Sequence, residues 1–430
     1  MKKNGFTFIS VLLLLVVFLI VPLIAYASGP VVGPFIIADQ TVDTVWPAVA
    51  YNTQHQEYLV VWQNDWSAND DIYGQRIVGD GRILGPWFSI IAGTGNERTY
   101  PDVTYNSQHD EYLVVWLEDG LDIRGQRVSA IGGMVDVAFD LVLGTGGENC
   151  SWPAVAYSST SDRYLLAFIC GEYPTTSYDV RARAFQYDGT PDGVYFTVGN
   201  FTPAGLITIS FDKPIDLAYN RERNEFLVAW DQYFNTLSKW DVNGQRIQMT
   251  VGSVGTIGSM ISICSHPTNN SFAPAVAAIP HPIGLGQYLV ACEHLSGGSD
   301  HDILGRRYDG LGNLDPNTLG ITNAPRDSYN PAVAGNEISL EYLVTWTEDS
   351  PPPFGFTSGI CARIIPNQGA FMGDTITFDL GTSSDHSTVE RGSAGDFLTV
   401  FDNYNAAFGT TRNIWGNLWG NRIYLPLVVQ

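Results

Sequence analysis

An all-β, seven-bladed β-propeller of four-stranded antiparallel blades is the fold this sequence predicts, on three observations. Short phrases recur in fixed order along the 430-residue chain. Each phrase is β-branched and aromatic, and each is closed by a turn signal, so each reads as a strand. The repeat spacing of about fifty to sixty residues, with four such stretches per unit, is the period of a propeller blade.

The first phrase is Pro-Ala-Val-Ala-Tyr or a relative of it, at Pro47, Pro101, Pro153, Pro214, Pro274 and Pro331. The second is "EYLVVW" at Glu57 and Glu111, then "RYLLAF" at Arg163, "EFLVAW" at Glu225, "QYLVAC" at Gln287, "EYLVTW" at Glu341 and "DFLTVF" at Asp396. Apolar side chains on both faces of this strand are what a sheet sandwiched between two neighbours requires. The third runs "DIYGQRI" at Asp71, "DIRGQRV" at Asp122, "DVRARAF" at Asp179, "DVNGQRI" at Asp241, "DILGRRY" at Asp302, "ICARI" at Ile360 and "NIWGNLW" at Asn413. A fourth apolar stretch ends the unit, as in "WFSIIAG" from Trp87 and "AFDLVLG" from Ala138. The seventh copy lacks Pro-Ala-Val and carries "STVERG" from Ser387 instead. Blades therefore start near residues 45, 99, 151, 212, 272, 329 and 385. Arg76, Arg127, Arg183, Arg246, Arg307 and Arg363 recur at one place in the repeat, so they are expected to hold the blades through buried hydrogen bonds or acid pairing.

Ring closure is also legible. "GPFIIADQ" from Gly33 resembles "GPWFSIIAG" from Gly85, a fourth strand without a blade of its own, so Pro34–Ala38 is expected to complete the last blade and lock the ring. The rival is Tyr424–Val429, where Pro426 suits only an outer edge.

Near the start stand two lysines, an apolar run from Phe6 to Ile24 and Ala25-Tyr26-Ala27, the pattern of a secretory signal cleaved after Ala27, with an uncleaved membrane anchor the alternative for a run long enough to span. No second apolar span follows. The expected organisation is a signal peptide at 1–27, one propeller domain at 28–424 and a short apolar tail at 425–430. The expected place is outside the cell or on its surface. Removing residues 1–27 takes Lys2 and Lys3 and no acid, deepening the net charge from -22 to -24. Such a balance excludes nucleic acid and anionic membrane as partners, because phosphate recognition runs on clustered Lys and Arg.

"YLVVW" followed by "DIYGQRI" resembles the repeats of secreted bacterial β-propeller proteins, distantly akin to sialidase-like and integrin-like propellers, over about residues 33 to 424. The tail "YLPLVV" resembles the C-terminal ends of other exported proteins of some filamentous bacteria. The resemblance implies extracellular binding or interaction, with sugar hydrolysis in some members. The S-x-D-x-G-x-T-W box of the first group and the D-x-D-x-D-G calcium loop of the second do not occur here.

Loops joining strands two to three and four to one emerge on one face of a propeller and the other turns on the opposite face. The opposite turns, such as "NTQHQ" and "NSQHD", are polar, and His55 and His109 in them read as structural. The first face carries Asp65, Asp70, Glu118, Asp119, Glu172, Asp231, Glu293, Asp300, Glu348, Asp349 and Asp402, interleaved with Trp66, Tyr173, Tyr233, Trp240, Phe354 and Tyr404. Loops on a rigid frame commonly carry function, and aromatic rings beside carboxylates suit sugars. The leading expectation is a binding or interaction module for a glycan or cell-surface polymer, or for a protein partner. A glycosidase with paired acids about 5 to 10 Å apart and a structural surface protein are the alternatives, and many acid pairs on this rim would serve, so none is selected.

Clustered carboxylates make calcium the one candidate cofactor. His294 and His301, with Glu293, Asp300 and Asp302, form a His–acid cluster, but two histidines fall short of the ligands zinc needs. Of five cysteines in an exported chain, Cys150 and Cys170 flank the first two strands of the third blade, and Cys264 and Cys292 are read as holding the corresponding places in the fifth. Bridges Cys150–Cys170 and Cys264–Cys292 are expected, with Cys361 buried and free.

Overall fold

The computed structural model describes residues 26–423 except 66–69, 145–147, 173–177, 200–212, 235–236, 251, 282–283, 297–299, 323–325, 350–357, 370–371, 379–382, 394 and 405–410. The expected signal segment up to residue 25, the tail and the rival closing segment therefore lie outside the described residues. Seven four-stranded antiparallel sheets are present, and no helix occurs among the described residues.

Each repeat phrase takes the place its composition demands. In blade 1 the Pro-Ala-Val phrase forms the inner strand Asp43–Asn52, "EYLVVW" the second strand Glu57–Asp65, "DIYGQRI" the third strand Asp71–Val78, and Ile83–Ile91 the outer strand. The inner strands Asp43–Asn52, Arg98–Asn106, Glu148–Ser158, Ile215–Asn220, Asn270–Ile279, Ser328–Asn336 and Ser383–Arg391 each pack on the next, and the last returns to the first. Every residue of the blade 2 second strand, Glu111–Glu118, is buried. Trp62, Trp116, Trp230 and Trp346 stand at one position of this strand and are fully enclosed between blades. Their indoles need a partner when buried. Trp62 donates to Asn64 at 3.0 Å, Trp116 to Glu118 at 3.1 Å and Trp346 to Glu348 at 3.3 Å.

The closing strand contains the expected Pro34–Ala38 but begins earlier, at Tyr26, inside the segment expected to be cleaved. Tyr26–Ala38 is the outermost strand of blade 7 and pairs antiparallel with Arg412–Ile423, with Phe35 opposite Gly416 and Ile36 opposite Trp415. Hydrogen bonds between the first and last segments of the described chain thus join the ring.

The recurring arginines span blades. Arg76 grips Glu57 through two bonds of 2.9 and 2.8 Å and donates to the Ile131 carbonyl of the next blade. Arg127 grips Glu111 at 2.8 and 2.9 Å. Arg246 reaches the Leu311 carbonyl of the next blade and Arg307 the Gly369 carbonyl. In blade 3 the glutamate is replaced by Arg163, and Arg183 turns to the carbonyls of Gly193 and Leu141.

On the opposite face a second series repeats the device. Asn52 caps its own turn by accepting from the Gln54 and His55 N–H groups and donates across to Asp110 of blade 2. His55 also meets Asp110, at 2.8 Å, and His109 meets Asp162 of blade 3 at 2.9 Å, a structural role for both histidines.

Both disulfides form, and Cys361 is free and buried. Cys150 and Cys170 face each other across the first two strands of blade 3. The placement of Cys264 in the fifth blade is corrected: it ends the outer strand of blade 4, Ser253–Cys264, so its bond to Cys292 ties blade 4 to blade 5. The reason is that the outer strand of blade 4 runs to twelve residues and includes a cysteine that reads as linker.

Replacing Arg127 with alanine strands Glu111, whose side chain is only 6% exposed. Urea denaturation of the exported chain is expected to record a loss of about 3 kcal/mol. Arg82→Ala, which breaks the exposed pair with Asp80, is expected to change stability by less than about 0.5 kcal/mol.

Candidate functional site

Six of the seven inner strands begin with the same irregularity. At Trp46, Tyr100, Trp152, Ala273, Asn330 and His386 the backbone turns left-handed, with φ between 45° and 54°. In each case the pairing with the second strand slips at this point. The six residues are β-bulges, and a bulge bends its strand and re-aims its side chain. Left-handed backbone at a residue with a β-carbon costs on the order of 1 kcal/mol or more and persists only when its surroundings compensate.

At three of the six positions the compensation comes from the second strand of the preceding blade. Gln63 accepts from the Tyr100 N–H at 3.0 Å, Asp231 from Ala273 at 3.3 Å and Glu293 from Asn330 at 3.4 Å. Asp402, fully buried, instead holds the His386 ring at 2.8 Å and receives Arg412 at 2.9 Å.

The re-aimed side chains meet at the loop-face end of the ring axis. Trp46 of blade 1 lies 5.1 Å from Tyr100 of blade 2 and 5.6 Å from Trp152 of blade 3, edge-on to both. Tyr100 and Trp152 stack at 4.0 Å, and the His386 ring of blade 7 lies 3.8 Å from Trp46. Contact between blades 1 and 3, which are not neighbours, requires both rings to reach toward the axis. Trp46 and Tyr100 remain partly exposed while Trp152 is buried.

The other half of this end is acidic. His301 bonds Glu293 at 2.5 Å, its ring lies 4.8 Å from Tyr329, and its N–H donates to Asp327 at 3.0 Å. Asp385 accepts from Asn330 at 3.2 Å and Thr347 at 3.3 Å. The bond from Glu293 raises the His301 pKa. Burial, with Asp327 and Asp385 nearby, raises that of the exposed-edge Asp349. An aromatic platform on blades 7 and 1 to 3 therefore adjoins carboxylates on blades 5 to 7.

The loop residues singled out by sequence fall into distinct places. Asp231, Glu293 and Asp402 are buried and converge on the bulges. Glu118 and Glu348 are buried against tryptophan indoles, and Glu118 is further engaged by Asn96 and Arg124. Asp70 is buried near Gln63. Asp119, Asp300, Asp349 and Tyr404 are exposed, and Tyr233 and Trp240, partly exposed, pack together at 5.4 Å. Trp66, Tyr173, Phe354 and the side chains of Asp65 and Glu172 lie outside the described residues. The His–acid cluster is split: His301 joins Glu293, whereas His294 bonds Ser271 at 3.0 Å and has its pKa lowered by burial and by nearby His266. Among the described residues no group of three or more His, Cys, Asp or Glu is arranged to hold a metal ion.

The residues sequence reading passed over are Trp46, Tyr100, Trp152, Asn330 and His386. Their signal is plain in retrospect: the position before the Pro-Ala-Val phrase is aromatic in the first three copies. Below them runs an axial cavity of about 600 Å³, lined by the middle of every inner strand and by turn residues of the opposite face, including Thr53, Ser107 and Ser159. None of the six bulge residues lines it; they stand across its loop-face end.

No protein-family model matches the chain, and no curated protein matches it significantly. Its fold is similar to that of solved structures. A protein of unknown function from Dyadobacter fermentans aligns with TM-score 0.56 at 8% identity, over 92% of this chain and 99% of that one. A fungal alcohol oxidase of the AA5 family, solved with copper, aligns with TM-score 0.55 at 10% identity, over 92% of this chain and 76% of the oxidase. At such identities the likeness is one of fold.

Burial opposes a charged His386, but Asp402 and Asp385 outweigh it and raise the pKa. A raised histidine pKa stabilises the fold fully below the unfolded value of about 6.5, and that contribution fades as pH rises through the folded value. The melting temperature is therefore expected to fall as pH rises above about 6.5, with Trp46 emission rising as the adjacent imidazolium loses its charge. Both changes should shrink in His386→Gln; a variant with the wild-type pH profile would remove this assignment.

Proposed function

We propose that this protein is an exported β-propeller that binds a glycan or sugar-bearing cell-surface polymer at the loop-face end of its axis. The signal segment 1–27 directs export, and residues 28–424 form the binding domain. Two disulfides, and no helix among the described residues able to cross a membrane, are consistent with an extracellular setting.

The observation that carries the reading is the identity of the residues at the strained position. Blades 1 to 3 each place an aromatic ring there, and the rings converge beside the carboxylates of blades 5 to 7. Sugar rings present C–H faces that stack on aromatics and hydroxyls that donate to carboxylates. Exposed Asp119, Asp300, Asp349 and Tyr404, with Tyr233 and Trp240, extend the surface outward, as a polymer longer than one sugar requires.

Binding is favoured over hydrolysis by what the inner carboxylates already do. Asp402 is shared by His386 and Arg412, and Glu293 by His301 and the Asn330 N–H. Groups committed to holding backbone and side chains are poor candidates for moving protons to a leaving group.

Isothermal titration of a panel of soluble polysaccharides against the exported chain tests the proposal. One ligand is expected to bind, with Trp46→Ala or Tyr100→Ala weakening it about fivefold, as loss of an aromatic stack worth about 1 kcal/mol implies, while circular dichroism stays unchanged. Indifference of a bound polysaccharide to both variants would move the site elsewhere, and reducing ends released by the wild type but not by Glu293→Gln would establish a hydrolase.

A further inference from the structure

We propose that the axial cavity is a second, separate binding site, entered from the face of the first-to-second-strand turns, for a short aliphatic polyammonium ion. The cavity's volume of about 600 Å³ falls within the range of about 300–1,000 Å³ typical of ligand pockets. Its walls are kept open by small side chains, among them Ala50, Ala156, Ala278 and Val333.

Charged groups project into it at successive depths. Counting from the bulge of each blade, Asp102 stands two residues inward and Glu390 four. At about 3.3 Å per residue the two carboxyls are offset by about 7 Å along the strands, a separation an extended diamine spans. Lys213 and Asp216 lie on the blade 4 wall, while Arg221, Glu337 and Arg391 stand where the cavity meets the turns.

Pairing among these groups is unequal. Lys213 meets Asp216 at 3.1 Å; Arg221 and Arg391 both address Glu337, at 3.1 and 3.7 Å. Asp102 accepts the Val155 N–H at 2.7 Å but has no ion pair among the described residues, and neither has Glu390. Two carboxyls without a salt bridge among the described residues thus face one shared space. Burial pushes Glu390 up to about 7 against the pull of Arg391, and Asp102 up to about 6 against that of Lys213, so an entering ammonium group meets acids that gain by its arrival. Lys213, half exposed inside the cavity, marks the interior as space rather than packed protein. A net charge of -22 concentrates small cations around the molecule.

The test is titration calorimetry of the exported chain with putrescine and spermidine at physiological salt. One site per chain is expected, weakened at least tenfold by Glu390→Gln and by Asp102→Asn, the latter keeping an acceptor for Val155. Trp46→Ala should leave amine binding intact, and Glu390→Gln should leave polysaccharide binding intact, so each site can fail alone. Several weak sites indifferent to both carboxyl variants would reduce the effect to general surface charge and overturn the proposal. Displacement of the amine by calcium, with calcium binding lost in Glu390→Gln, would overturn it in favour of a metal site.

Discussion

A blade of this protein cannot bury its second strand alone. That strand is apolar on both faces, and each face is covered only when another blade stands against it, so seven half-finished cores must be completed by their neighbours. Ring closure is therefore a condition of folding and not a finishing touch. Placing Tyr26–Ala38 on the outside of blade 7 meets it, because separating blade 7 from blade 1 would also break the pairing with Arg412–Ile423. The outer strands remain edges. Their pairing with the third strands is interrupted at the same two places in blades 1 to 4, and such bulging turns an edge away from foreign strands. This matters where Val137 and Val194 stand more than four-fifths exposed.

Apolar burial alone would let neighbouring blades slide, since it has no direction. Registry comes from polar groups that each repeat extends to the next. The arginine of the third strand and the asparagine ending the inner strand both reach backbone carbonyls or carboxylates of the following blade, at opposite radii of the ring. Where the sequence drifts, the partner changes and the link survives. Arg163 replaces the glutamate of blade 3 and takes Asp192 at 2.8 Å, leaving Arg183 to bond carbonyls on either side.

Blade number, strand order, closure and both disulfides were legible in the chain because each rests on a local phrase or a count. Cys264 was assigned to the wrong blade because a strand boundary, unlike a strand, carries little signal. The acids of the loop face were legible as a set but not as individuals. Glu118 and Glu348 follow their tryptophans by two residues and so point back at the indole, whereas Asp231, Glu293 and Asp402 come one residue after the same strand position, held there by Trp230, Cys292 and Phe401, and reach the bulges. Period-two alternation contained that distinction. The axial residues themselves were hidden by distance: Trp46, Trp152 and His386 become neighbours only once the ring is closed.

The bulge is the element that gives one inner strand two different ends. Without the extra residue the side chain before the proline would follow the strand's alternation; with it, that side chain crosses the axis and the residues beyond resume regular spacing along the cavity wall. The backbone cost is met by carboxylates and an amide of the preceding blade. It follows that Asp231, Glu293 and Asp402 are positioning groups. Removing Asp231 or Glu293 would release a strained backbone, and removing Asp402 would free the His386 ring, so lost binding in such a variant would report geometry as much as contact. Recognition at the mouth is most separable from scaffolding at Tyr100, where the bulge is held through the backbone N–H by Gln63 and the partly exposed ring takes no part in that bond.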